Sequence, residues 1–216
     1  DCMPFGKDGV FYLYYLKDNR KPQDQKDPFV WDLVTTPDFV HYTEQGTAIA
    51  GSGPNDQDQD IISGSVMEGM GQYHAFYTGA NLSFSAKGLP SQVQMHATSD
   101  DLIHWTKDHS LHLPPQPGYD ISDWRDPFVF WCQEQEEYLM LLGGRKAGPK
   151  TQQTGRTVWY TSKDLKTWEF QGDFWAPDLY TMHEMPDLFY MDGWWYHIIT
   201  EYSHRSKMIY RMSRTM

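Results

Sequence analysis

Three segments of the chain resemble one another: Thr36-Pro-Asp-Phe-Val-His-Tyr42, Ser99-Asp-Asp-Leu-Ile-His-Trp105 and Ser162-Lys-Asp-Leu-Lys-Thr-Trp168. Their closing aromatics, Tyr42, Trp105 and Trp168, stand 63 residues apart and then 63 again. A fixed period of this length implies a repeated supersecondary unit. Ahead of each segment a strand-like run opens at an acidic or glycine turn: Asp8-Gly9-Val10-Phe11, Gly71-Gln72-Tyr73 and Glu136-Glu137-Tyr138. Each unit therefore holds about four short strands, the content of a β-propeller blade.

Aromatic or β-branched runs at 10–16, 72–78, 138–143 and 194–200 read as strands, and no long stretch carries a helical apolar period. The expected fold is all-β, with a β-sandwich of accidentally similar hairpins as the alternative. A fourth unit opens around Glu184 and continues through Asp192-Gly193-Trp194-Trp195, and its closing aromatic would fall beyond Met216. About four blades are thus represented, and residues 1–216 read as a single, incomplete propeller domain. The polar stretches 17–26 and 143–155 read as surface loops.

Composition narrows the partners. A net charge of -11 and the lack of a visible Lys and Arg stripe argue against phosphate binding, so no nucleic acid is expected. No run of about 18 apolar residues predicts a membrane span. Nine Trp and fourteen Tyr supply flat stacking surfaces, for which sugar rings are a common partner. Cys2 and Cys132 make no disulfide framework and have no metal-ligand spacing. The chain opens on Asp1 with no leader-like segment, which leaves cytoplasmic and secreted locations both open; oligomeric state has no signal in the sequence.

In a propeller the first strand of each blade lines the central channel, so residues at equivalent strand starts converge. Four starts are proposed: Asp1; Asp60-Ile-Ile-Ser63; Trp124-Arg-Asp-Pro127; and His183-Glu-Met-Pro-Asp187. Converging carboxylates suit glycoside hydrolysis, which needs one ionised acid to attack carbon or activate water and one protonated acid to release the leaving oxygen. Arg125 is expected to hold its neighbour Asp126 ionised, which moves the proton donor elsewhere. A buried Arg–Asp pair anchoring a strand is the structural alternative for Asp126, and a turn acid before Pro186 is that for Glu184. For Asp187 the structural role is the favoured reading, holding the turn that aims Glu184.

Other residues carry less. His41 and His104 occupy matching positions beside the closing aromatic and read as framework. His183 is placed beside Glu184 as a pocket-lining or tuning residue. Ser63-Gly64-Ser65 lacks the glycine pattern of a nucleophile elbow. No His-x-x-x-His helix or His–Cys cluster points to a metal, and no cofactor is expected. Asn81-Leu82-Ser83 fits a glycosylation sequon.

At these residues the chain resembles glycoside hydrolase family 32, the β-fructosidases related to invertases, inulinases and levanases. Ile61-Ile-Ser-Gly-Ser65 looks like the family's FSGS segment, Phe76-Tyr-Thr-Gly79 matches FYTG, Arg125-Asp-Pro127 matches RDP, and Glu184-Met-Pro-Asp187 is similar to ECPD. The resemblance implies a five-bladed propeller and retention of anomeric configuration. It assigns the nucleophile to Asp1, transition-state stabilisation to Asp126 with Arg125, the acid/base to Glu184, and sugar contacts to Ser63 and Ile62, the latter standing where the family has Phe. Three departures accompany it: Cys2-Met3-Pro4-Phe5 follows Asp1 in place of the family's first motif, Met185 replaces Cys, and Leu16 stands about where many members carry a substrate-binding Gln. The expected activity is retaining cleavage of β-fructofuranosidic linkages in sucrose or inulin- and levan-type fructans. A family 43-like arabinofuranosidase or xylosidase and a catalytically silent carbohydrate-binding propeller are the alternatives.

Overall fold

The computed structural model describes residues 1–19 and 28–216. Their strands form four antiparallel sheets, each paired in chain order as a propeller blade is. The first holds β1 (Cys2–Lys7), β2 (Val10–Asp18), β3 (Phe29–Thr36) and β4 (Thr43–Ile49). The second holds β5 (Asp60–Gly69), β6 (Gln72–Ala80), β7 (Gln92–Ser99) and β8 (Thr106–Leu113). The third holds β9 (Tyr119–Cys132), β10 (Glu137–Lys146), β11 (Gly155–Ser162) and β12 (Glu169–Trp175). The fourth has three strands, β13 (His183–Met191), β14 (Trp194–Glu201) and β15 (Lys207–Ser213). The chain is all-β, with two such sheets in each of two compact units, Asp1–Leu113 and Pro114–Met216.

Turn chemistry explains the regularity. Asp8-Gly9, Met70-Gly71 and Asp192-Gly193 all have positive φ at both positions, which sets the two-residue hairpin turn whose twist matches the strands it joins. The 63-residue repeat is a second, more elaborate turn between the third and fourth strands of a sheet. In it Thr36, Ser99 or Ser162 accepts two backbone N–H bonds through its hydroxyl. Asp38, Asp101 or Asp164 then accepts two more through Oδ1. The residue between, Phe39, Leu102 or Leu165, sits in the left-handed region in every copy. His41 and His104 each bond their own turn aspartate, at 2.8 and 2.7 Å, so both are framework residues as expected.

In the first unit the core lies between the two sheets, where Met3, Tyr14, Trp31 and Leu33 meet Ile61, Tyr77, Val93 and Leu102. The Tyr14 hydroxyl donates to Leu102 O at 2.5 Å, which ties β2 to the repeat turn of the neighbouring sheet. In the second unit Leu139 and Leu141 of β10 pack with Leu188 and Trp195 of the fourth sheet.

Several expectations change. Lys17 and Asp18 complete β2, and the remainder of the 17–26 stretch, apart from Asn19, lies outside the described residues. The expected 143–155 loop begins later, because Gly143, Gly144 and the buried Arg145 extend β10, where Arg145 pairs with Asp123. A Cβ on Gly143 would fall 2.1 Å from His183 O, so glycine is demanded there by the approach of β13. Asn81 is fully buried, caps a short 3₁₀ helix at Leu82–Lys87 and donates to Pro54 O and Asp56 O, so its amide is not presented for glycosylation.

Candidate active site

Three first strands carry a β-bulge at the residues singled out above. In β5, Ile62 faces Thr78 and Gly64 faces Tyr77, which leaves Ser63 as the extra residue. In β9, Arg125 faces Gly143 and Phe128 faces Leu141, so Asp126 and Pro127 share Leu142. In β13, Glu184 faces Thr200 and Asp187 faces Ile198, so Met185 and Pro186 share Ile199. A bulge re-aims side chains and accepts a proline, which has no N–H to give the ladder. Asp126 and Met185 have φ of 64° and 47°, strain that costs roughly 1–3 kcal/mol per residue and concentrates at functional positions. Arg125 and Asp126 therefore lie inside β9, six and seven residues past Tyr119, rather than at its start. Pro186 and Asp187 likewise belong to a bulged strand and not to a turn, which corrects the turn-holding role expected of Asp187.

In the first unit Asp1 is exposed just ahead of β1, and its carbonyl accepts Leu16 N at 3.1 Å. Its Oδ2 accepts the Ser63 hydroxyl at 2.6 Å, so these two predicted residues are brought together. Ser63 is buried, while Ile62 is half-buried and gives its carbonyl to Trp31 Nε1 at 3.1 Å.

The second unit gathers Arg125, Asp126 and Glu184. Arg125 donates from Nε to Glu184 Oε1 at 2.8 Å and from Nη2 to the same oxygen, and Nη1 reaches Asp123 at 3.1 Å. Its distance to Asp126 is 3.9 Å. The arginine thus positions Glu184 through one carboxylate oxygen, whereas Asp126 turns at its bulge to accept Met185 N at 3.0 Å. Asp126 is pushed up to about 6, because burial outweighs the lowering by Arg125 and Glu184 adds repulsion. The expected lowering by Arg125 is present, but burial outweighs it, so Asp126 is held less firmly ionised than the sequence suggested. Burial also pushes Asp187 up to about 6.

His183 stands apart from this cluster. It is fully buried, with Nδ1 3.1 Å from Thr157 Oγ1, Nε2 3.3 Å from Leu179 O and its ring stacked on Trp175 at 4.9 Å. Burial pushes it down to about 4, so it is neutral at ordinary pH. The ring is held in the unit's interior rather than lining a pocket beside Glu184.

Residues not singled out from the sequence complete the setting. Asp123 holds Arg125 and also pairs with Arg145 Nε at 2.7 Å and Lys150 Nζ at 3.2 Å. Its position two residues before Arg125, on the same face of a strand, was the available signal. Tyr202 lies close enough to Glu184 for that carboxylate to push its phenol up. Among the described residues no group of three or more His, Cys, Asp or Glu is placed to hold a metal ion.

The sequence model of the glycosyl hydrolases family 32 N-terminal domain matches residues 3–215. The chain belongs to glycosyl hydrolase family 32. It is 32% identical over 168 residues to a sucrose-6-phosphate hydrolase of Vibrio alginolyticus, an alignment covering 76% of this chain and 32% of that protein. It is 28% identical over 193 residues to a levanbiose-producing levanase of Bacillus subtilis (strain 168), covering 87% of this chain and 34% of the relative. The chain thus spans about a third of the length of these family members. Among solved structures, a sucrose-6-phosphate hydrolase from Lactobacillus gasseri matches with TM-score 0.72 and 26% identity over 92% of this chain and 40% of that one. Fructan 1-exohydrolase IIa from Cichorium intybus shares the fold, with TM-score 0.76 and 19% identity over 98% of this chain and 41% of that one.

Proposed function

We propose that the protein is a retaining β-fructofuranosidase acting on sucrose or on inulin- and levan-type fructans, and that this chain is the larger part of one five-bladed catalytic propeller domain. Asp1 attacks the anomeric carbon of a terminal fructofuranosyl unit while Glu184 protonates the departing oxygen. Glu184 then takes a proton from water, which releases fructose from the enzyme. Asp126, buried beside Arg125, accepts from substrate hydroxyls. Arg125 positions Glu184, Ser63 positions Asp1, and His183 braces the strand that carries Glu184.

The observation that carries this reading is the Arg125–Glu184 pair beside the buried Asp126, built by two bulged strands of a family 32 chain. The names of the relatives supply the substrate class. The test is a product assay of the full-length protein on sucrose, sucrose 6-phosphate, inulin, levan and arabinosides, with and without Glu184→Gln. Fructose released with retained configuration and lost in the variant supports the assignment. Sugar binding by calorimetry without turnover on any substrate would mark a silent carbohydrate-binding propeller instead.

A further inference from the structure

Away from the acid cluster, the second unit contains a cavity of about 410 Å³ whose walls include Trp159, Phe174, Leu188 and Trp195. His197 and Arg211 also line it and face each other across the β14–β15 ladder. His197 is 5% exposed, yet among the described residues neither of its ring nitrogens has a hydrogen-bond partner, and the buried Trp195 Nε1 has none either. Native interiors seldom leave such groups unmade, because each forfeits its hydration without compensation. Burial and the Arg211 charge push His197 down to about 3, so the ring is neutral and offers one N–H and one lone pair.

The chemistry of the walls selects among ligands. Arg211, which rests 4.5 Å over the Trp175 ring, donates, as does the Trp195 indole. Asp173, at the same cavity, accepts and is already ordered by the Tyr119 hydroxyl at 2.7 Å. An apolar ligand would leave His197 unsatisfied, and a phosphate would meet the Asp173 carboxylate and an uncharged imidazole. A polyhydroxylated ring satisfies all of them, since hydroxyls both donate and accept while C–H faces stack on indole and phenyl walls. We propose that this cavity is a second carbohydrate-binding site, which takes one neutral sugar unit of the fructan whose end the catalytic acids cleave. This proposal rests on the fructan-hydrolase reading above. The side chains of the cavity do not include Asp1, Asp126 or Glu184, so occupancy holds the polymer rather than taking part in the reaction.

The experiment uses the full-length protein. Levan oligosaccharide is titrated calorimetrically into the Glu184→Gln form with and without Arg211→Ala, a substitution at an exposed position of β15. Removing Arg211 is expected to weaken binding about tenfold, the effect of one charged hydrogen bond, and to raise KM on levan similarly while leaving kcat/KM on sucrose unchanged. A crystal soaked in fructose should show a hydroxyl on each His197 nitrogen. Unchanged levan binding in Arg211→Ala overturns the site, and so does a cavity holding only ordered water or a segment of the protein itself. If the wild type cleaves no fructoside while the cavity still binds fructose, the proposed reaction fails and the binding site stands.

Discussion

The two units solve the same problem, presenting a carboxylate on or just ahead of a sheet's first strand, with opposite environments. Asp1 is exposed and held by one neutral hydroxyl from Ser63, whereas Asp126 and Glu184 sit in a largely buried network with Arg125 and Asp123. The bulge is common to both, at Ser63 in one unit and at Asp126 and Met185 in the other. Strand geometry therefore aims the groups, while burial and charge set their protonation. The exposed carboxylate is open to attack on carbon, whereas burial pushes Asp126 up to about 6 and encloses it as a group that holds substrate hydroxyls.

The largest effect expected is at Glu184. Replacement by Gln preserves the acceptor for Arg125 but removes the transferable proton, so kcat on sucrose should fall by about 10²–10⁴. A fall of less than tenfold would break the division of labour between the units.

Asp126→Asn probes the buried side. Between its ordinary value and about 6, the folded protein holds a proton on Asp126 that the unfolded chain has lost, so rising pH weakens folding across that window. An amide has no such proton. The variant should therefore be inactive yet more stable than its parent at pH 7, by on the order of 1–3 kcal/mol, with the advantage vanishing near pH 4. His183 acts with the opposite sign in an overlapping window, since a residue pushed down to about 4 loses stability as pH falls below about 6.5. Melting curves of parent and variant at pH 4 and pH 7 separate the two contributions, and an Asn variant less stable at pH 7 would refute the buried-acid account.

Gly64 and Gly143 form a matched pair, one in each unit. Added Cβ atoms would fall 1.9 Å from Phe76 O and 2.1 Å from His183 O, so Ala at either should cost about 1–3 kcal/mol by chemical denaturation. Gly143→Ala should also lower kcat, because the backbone it pushes carries Glu184. In Ser63→Ala the lost bond to the exposed Asp1 should lower kcat/KM about tenfold with stability nearly unchanged. The smallest effect belongs to His104→Ala, whose exposed turn pairing should be worth under about 1 kcal/mol and leave kcat untouched.

Much of the fold was legible because turns write themselves into local sequence. The Ser/Thr-x-Asp pattern marks four backbone hydrogen bonds within a few residues, and Asp-Gly marks a hairpin; both are decided before any distant contact forms. The extension of β10 through Gly143-Gly144-Arg145 was hidden, because glycines usually signal a loop and here signal the close passage of β13. His183 was misplaced for a related reason. A histidine adjacent to an acid in sequence lies on the opposite face of a strand, and this one points into the interior.

By itself the sequence determined the repeat, the all-β class, the turns and the family motifs that contain Arg125, Asp126 and Glu184, since each of these is a local pattern of a few residues. Only the tertiary structure decided that Arg125 of β9 bonds Glu184 of β13. That meeting depends on two bulges in different sheets and on the packing that buries Asp126. Neither quantity is local, so no spacing in the chain records it.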